Sequence, residues 1–334
     1  MIARRETLRL LGSAAAAAWV TPPLRGLNIS LAPNFLAANG NDDSTPPLAP
    51  GSPNSPERVA LIDAFRKQSE GLEQKYEART YKSDWTMPYR LFRPDAKGNL
   101  PLVIYLSGSG GLGDDNLKQL QFGNTFGTRV WLLPENQKKF PCYVIAPQTD
   151  RGWARYDVTQ ESNGKAKVIP GLGDGSRMAL EVIDVLRREF PIDDGRIYVT
   201  GQSMGGAGVW NIIAGRPNFF AAAIPCCGSE STENGAESLE TPLWCFHGAA
   251  DQTVPVSISR DRIRARRKAG GHPLYTEYAG VDHEVWQWAF TEPALIEWVF
   301  AQRRGSFLQS AKSARSVCSV AERPQTTSCE WRNR

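Results

Sequence analysis

Histidine is scarce in this sequence. The 334 residues hold three, His247, His272 and His283. No His-Glu-x-x-His occurs, and three scattered imidazoles cannot supply zinc ligands at a recognisable spacing. No metal site and no cofactor are therefore expected. A glycine-rich run, Ser107-Gly108-Ser109-Gly110-Gly111, lacks the Gly-Lys-Ser/Thr that would make it a phosphate loop. Its letters also fit Gly-x-Gly-x-x-Gly, but Asp114-Asp115-Asn116 continues the loop where a dinucleotide fold needs a helix. No internal repeat of fixed period is present. No apolar run approaches the roughly 20 residues of a membrane span. Nor is there a concentrated basic surface: of the net charge of +4, segments 1–32 and 305–334 carry +3 each, leaving the middle of the chain at −2. A nucleic-acid partner is excluded on that ground. The six cysteines match no metal spacing. Cys142, Cys226, Cys227 and Cys245 fall in or beside apolar runs, as buried thiols do. Cys318 and Cys329 lie in the polar tail, where an oxidising compartment would let them pair.

What is present begins with an address. Arg4-Arg5-Glu6-Thr7-Leu8-Arg9, followed by Leu10-Leu11-Gly12-Ser13 and an alanine run, reads over residues 1–32 as a twin-arginine (Tat-type) export signal. The alternatives are a cytosolic N-terminal helix or a single anchor. Export predicts a periplasmic or extracellular protein, with Ala38 one candidate for cleavage. Residues 33–56, rich in Pro, Asn, Ser, Gly and Ala, read as a disordered linker. A folded domain is expected over 57–304, starting near Ser55-Pro56-Glu57, and 305–334 reads as a polar tail.

Within the domain, Tyr76–Lys82 and Met87–Arg93 alternate polar and apolar residues, the pattern of antiparallel strands with one wet face. From Leu102 the pattern changes to short, continuous apolar runs: Leu102–Leu106, Tyr143–Ala146, Ile197–Thr200, Ala221–Ile224 and Leu243–Phe246. Such runs suit strands covered on both faces. Helical stretches over 174–190, 204–214, 256–269 and 292–303 separate or follow them. This alternation implies an α/β fold, a mainly parallel central sheet with helices on both faces.

Gly201-Gln202-Ser203-Met204-Gly205-Gly206 stands between one of these strands and one of these helices. Gly-x-Ser-x-Gly in that setting is a nucleophile elbow: a sharp turn presents the serine hydroxyl at a helix N-terminus. Serine at neutral pH needs a base. His247 ends a strand, where a hydrogen bond to backbone is the expected role. His272 sits in a polar turn. His283 lies in the loop before the last helix, and the chain order nucleophile, acid, base selects it. Asp251, just past the strand at 243–246, is the expected acid. The rival, Asp282, adjoins the base and reads as a turn-former. The N–H groups of Ser109 and Met204 are the expected oxyanion donors. Trp153 is a candidate aromatic wall for substrate, equally a core anchor. Trp286 has the same two readings, and Trp288 reads as core.

The segments Met87–Pro94, Pro101–Asn116, Ala146-Pro147-Gln148, the elbow, Phe246–Pro255 and Gly280–Trp286 together resemble the α/β-hydrolase superfamily. Within it they are similar to secreted bacterial esterases: feruloyl-esterase-like, polyhydroxybutyrate-depolymerase-like and phospholipase/carboxylesterase-like proteins, some labelled predicted peptidases. The resemblance implies the α/β-hydrolase fold with Ser203 as nucleophile, Asp251 as acid and His283 as base. It implies hydrolysis of small or polysaccharide-linked carboxylic esters, feruloyl esters among them. One departure stands out. Ser107 occupies the place where the family usually has histidine. Peptide hydrolysis by the same three residues, or a non-catalytic binding role on this scaffold, are the competing expectations. Oligomeric state is not legible.

Overall fold

The computed structural model describes residues 53–162, 165–229 and 239–305. The expected export signal, most of the linker, the C-terminal tail and the pair Cys318 and Cys329 lie outside the described residues.

Ten strands and eight α-helices are described. The strands are β1 (Glu77–Lys82), β2 (Thr86–Phe92), β3 (Leu100–Leu106), β4 (Tyr143–Pro147), β5 (Ala154–Ser162), β6 (Lys165–Leu172), β7 (Ile192–Gln202), β8 (Ala222–Cys226), β9 (Trp244–Gly248) and β10 (Leu274–Tyr278). The helices are α1 (Pro56–Gln68), α2 (Thr125–Arg129), α3 (Pro134–Lys139), α4 (Asp174–Glu189), α5 (Met204–Gly215), α6 (Val256–Lys268), α7 (Trp286–Ala289) and α8 (Leu295–Ala301). Eight strands form one sheet in the order β1-β2-β4-β3-β7-β8-β9-β10, and β5 and β6 form a separate hairpin. β1, β2 and β4 pair antiparallel, and every pair from β4 to β10 is parallel.

Strand alternation divides the apolar residues between two faces. Val103 and Tyr105 of β3 join α1, α2, α7 and α8 in one cluster. Leu102, Ile104 and Leu106 join α4, α5 and α6 in the other. With both faces covered, β3, β4, β8 and β9 are buried along their whole length, which is why they read as unbroken apolar runs. The edge strand β1 keeps its wet face, and Glu77, Arg79 and Lys82 guard it against further pairing. β2 departs from the one-wet-face expectation: it lies between β1 and β4, so Met87, Tyr89, Leu91 and Phe92 are all buried.

Helix boundaries follow local chemistry. α1 opens with Ser55, whose hydroxyl accepts from the Arg58 N–H, and Pro56 stands at its first turn. Order reaches upstream into the expected linker, because the Trp288 indole donates to the Pro53 carbonyl. α4 buries Met178, Val182, Ile183 and Leu186 as the stripe requires. The helix expected over 292–303 is shorter. Pro293 removes an N–H and disfavours helical backbone at Glu292, so α7 ends before it and α8 begins after it. The β5–β6 hairpin between β4 and α4 was not anticipated.

Candidate active site

Parallel strands deliver their following loops to one edge of the sheet, their carboxyl ends. Ser203 follows β7, Asp251 follows β9, His283 follows β10, and the glycine-rich loop follows β3. Four segments distant in sequence therefore open at the same edge.

Ser203 sits at φ 54° and ψ −119°, a conformation that L-residues avoid. Such strain costs roughly 1–3 kcal/mol and persists only where surroundings impose it. Here they do. A Cβ on Gly205 would stand 1.9 Å from the Leu106 carbonyl oxygen, and one on Gly201 would stand 2.5 Å from the Gly205 carbonyl oxygen. Only glycine allows the turn to press that closely on β3. The Ser203 N–H donates to the Cys226 carbonyl at 2.9 Å, fastening the turn to the end of β8.

His283 Nε2 lies 2.8 Å from Ser203 Oγ, and its Nδ1 lies 2.8 Å from Asp251 Oδ2. A carboxylate cannot donate, so Nδ1 carries the ring proton and Nε2 is left to accept from the serine hydroxyl. The Asp251 side chain is wholly buried, whereas that of His283 is 16% exposed. Burial by itself would raise the Asp251 pKa. Hydrogen bonds from His247, His283 and the Val254 N–H outweigh it and hold the carboxyl well below its usual range. Both carboxylate oxygens are used. Oδ1 accepts from the Thr253 and Val254 N–H groups at 2.8 Å each, and Oδ2 faces the rings of His283 and His247.

The other candidates are placed differently. Asp282 is exposed, and its Oδ1 accepts from the N–H groups of Gln252 and His283, a turn-forming role. His272 is exposed. His247 is fully buried and contacts the Val254 carbonyl at 3.0 Å, but it also reaches Asp251 Oδ2 at 3.2 Å, a contact that its sequence position did not suggest. Trp153 requires correction. It is entirely buried, and its indole N–H donates to the Ser107 carbonyl at 2.8 Å. A buried indole needs an acceptor and finds it under the glycine-rich loop, so this ring supports that loop and presents no wall to a ligand. Trp286 is nearly buried and meets the His283 ring edge-on, with centroids 5.4 Å apart. Trp288 packs partly buried against the core.

The loop after β3 is braced by side chains that sequence reading passed over. Asn124 Oδ1 accepts from the Gly108 N–H at 3.0 Å and from the Tyr105 hydroxyl at 2.9 Å. Gln148 donates to the Gly111 carbonyl and to Asp115, and accepts from the Asn116 N–H. Burial opposes ionisation of Asp115, yet bonds from Gln148 and from the Lys118 and Leu117 N–H groups hold its pKa well below the usual range. Ser109 begins a single 3₁₀ turn and Met204 begins α5. No hydrogen bond among the described residues engages either N–H, as expected of first-turn donors.

The Cys227 thiol, Asp251 and His283 place three donor atoms within 4.8 Å of one another. They are already occupied: Asp251 and His283 satisfy each other, and Cys227 donates to the His283 carbonyl at 3.5 Å. A cavity of about 540 Å³ lined by Lys75, Phe92, Arg93 and Lys138 opens elsewhere. Phe92 pairs with Val144 near the start of β4, which puts this cavity at the opposite, amino edge of the parallel strands.

No protein-family profile matches the chain. Its sequence is similar to a bifunctional acetylxylan esterase/xylanase of Neocallimastix patriciarum, 24% identical over 119 residues, and to poly(3-hydroxyalkanoate) depolymerase C of Paucimonas lemoignei, 27% identical over 163 residues. These alignments cover 32% and 46% of this chain, but only 18% and 34% of those relatives. Among solved structures it resembles a thermostable esterase at 34% identity and a TM-score of 0.63, covering 70% of this chain and 64% of that one. The uncomplexed acylaminoacyl peptidase of Pyrococcus horikoshii shares the fold at 15% identity and a TM-score of 0.51, over 72% of this chain and 43% of the peptidase. The strand order, the serine turn between β7 and α5 and these likenesses agree, and the chain has the α/β-hydrolase fold.

Proposed function

We propose that this chain is a carboxylic ester hydrolase that works through an acyl-enzyme on Ser203. The observation that carries the reading is the unbroken line from Ser203 Oγ through His283 to Asp251, with 2.8 Å at each link. Similarity to an esterase structure at 34% identity supports it independently.

In this mechanism His283 Nε2 takes the hydroxyl proton as Ser203 Oγ attacks the ester carbonyl. Asp251 keeps the imidazole in the tautomer that accepts at Nε2 and stabilises the imidazolium that forms. The carbonyl oxygen gains negative charge beside the N–H groups of Ser109 and Met204. Each such donor contributes about 3–4 kcal/mol to the transition state. His283 returns the proton to the departing alkoxide, and the acyl group stays on Ser203. Water then attacks the acyl-enzyme with His283 again as base. All oxyanion donors are backbone groups, so Ser107 in place of the family's histidine leaves them in place.

For the substrate, we favour acyl groups esterified to a polymer. The two curated relatives are named for acetylxylan and for poly(3-hydroxyalkanoate), both polymeric esters. The Arg4-Arg5 signal would put the enzyme where such polymers occur.

The test is turnover of acetyl, feruloyl and short-chain p-nitrophenyl esters, with acetylated xylan and a poly(3-hydroxyalkanoate) alongside. Ser203→Ala is expected to lose activity by several orders of magnitude with its melting temperature kept. A fluorophosphonate probe should label the wild type at Ser203 alone. Activity surviving in Ser203→Ala would refute the assignment. Faster cleavage of acyl-peptides than of any ester would move the reading to a peptidase. For export, Arg4→Lys with Arg5→Lys should retain the protein in the cytoplasmic fraction; unchanged secretion would refute a twin-arginine route.

A further inference from the structure

We infer that His247 is a positioning residue for the acid, a second imidazole that shares Asp251 Oδ2 with His283 and limits how strongly that carboxylate holds the base. This rests on the reading of Ser203, His283 and Asp251 as the reacting groups.

The proton assignment follows from the partners. His247 Nε2 faces two groups without protons, the Val254 carbonyl at 3.0 Å and Asp251 Oδ2 at 3.2 Å. It must therefore carry hydrogen. With the ring neutral, Nδ1, 2.7 Å from Ser259 Oγ, is the acceptor and the serine hydroxyl donates. Ser259 Oγ in turn lies 3.6 Å from the Cys245 thiol, which has a proton to give. The donors run in one direction, from Cys245 to Ser259 to His247 to Asp251. From the other side, Ser203 donates to His283 and His283 donates to the same carboxylate oxygen. His247, Ser259, Cys245 and the Asp251 side chain are all buried, so no solvent competes with this arrangement.

The consequence is electrostatic. An acceptor oxygen with a second donor holds less negative charge for the first. Asp251 then grips the His283 imidazolium less tightly than a carboxylate bonded to one ring would. The orientation of His247 depends on Ser259. If the hydroxyl is lost, Nδ1 is left without its partner in a buried site and nothing holds Nε2 on Asp251, which weakens the second bond to that oxygen.

Other ionisable groups face this cluster and stay constant in the comparison. Cys245 lies on β9 itself. Cys226 and Cys227 lie at and just past the end of β8. Glu277 of β10 is the register partner of His247, bound by Arg260 of α6 and by the Tyr275 hydroxyl. Asp282 adjoins His283 in the loop after β10.

The experiment is an NMR titration of the full chain with ¹⁵N-labelled histidine, feasible because only three histidines are present. Wild type, His247→Gln, His247→Leu and Ser259→Ala are compared, and kcat/KM against pH is measured on p-nitrophenyl acetate. In His247→Leu and Ser259→Ala the His283 titration is expected to move to higher pH. The acid limb of kcat/KM should move with it. His247→Gln, which keeps an N–H donor, should restore the limb most of the way. Ser259→Ala leaves the ring in place, so it tests the idea even where His247→Leu fails to fold. Equal His283 titration in wild type and Ser259→Ala would overturn the inference and leave His247 a structural residue. The NMR readout needs no substrate, so loss of the ester-hydrolase reading would show separately, as wild-type protein that titrates as expected without turning over esters.

Discussion

The serine turn and the acid–base loops are held in place by different means. Ser203 is fixed by backbone against backbone: Gly201 and Gly205 press on Leu106, and its own N–H bonds to Cys226. Asp251 and His283 are fixed by hydrogen bonds of their own side chains: the Asp251 carboxylate faces His247, which Ser259 holds, and accepts from the Thr253 and Val254 N–H groups. The glycine-rich loop after β3 belongs with the second kind, since Asn124 and Gln148 brace it. A backbone device tolerates no substitution but works with any side-chain surroundings. A hydrogen-bond device can be weakened by degrees. The serine turn should therefore fail all at once and the polar loops gradually.

The largest expected effect on the polar side is Asp251→Asn. The amide can present N–H to His283 and select the wrong tautomer, so kcat should fall by about 10³–10⁴-fold while substrate binding persists. Steady-state kinetics at neutral pH check it, and a loss under tenfold would mean that the carboxylate does not orient the base. On the backbone side, Gly205→Ala should destabilise the fold by about 3 kcal/mol or more, because a methyl group would collide with the Leu106 carbonyl. Denaturant unfolding measures it. A stable, active Gly205→Ala would erase the distinction between the two regions.

Asn124→Ala is the graded counterpart. It leaves the Gly108 N–H and the Tyr105 hydroxyl without their acceptor, at a cost of about 1–3 kcal/mol. A folded protein with kcat lowered several-fold is expected, and KM little changed. Acid stability gives the smallest effect. Asp251 and Asp115 have folded pKa values below their unfolded ones, so their contribution is present above about pH 5 and fades as pH falls through and below the ordinary carboxylate value of about 3.9. Asp115→Asn should flatten the loss of melting temperature between about pH 5 and 3; an unchanged slope would show that Asp115 is not held as described.

The same contrast explains what could be seen in the sequence. A backbone constraint is written locally, in glycines two residues either side of a serine, and the elbow was legible for that reason. The buried strands from β3 onward were equally plain, because covering both faces of a sheet leaves unbroken apolar runs. His247 was only half read. Its backbone contact was anticipated, but its approach to Asp251 depends on Ser259 of α6 closing from the other side, and nothing near His247 announces that. Asn124 is likewise an unremarkable polar residue until the chain folds it under Gly108. Trp153 carried two equal readings, wall and core, because an aromatic ring after a sheet strand reads the same in sequence whether it faces a ligand or the core; its burial selects the second. The β5–β6 hairpin had a signal, Asn163-Gly164 between two extended stretches, which the helix–strand alternation overshadowed.

If one proton-handling line joins Ser203, His283 and Asp251, removing any two of its members should cost little more than removing one. The direct measurement is kcat for Ser203→Ala, His283→Ala and the double variant on one activated ester. The account predicts that the three fall to nearly the same residual rate. Independent, multiplying losses, or a His283→Ala variant that keeps wild-type turnover, would contradict it.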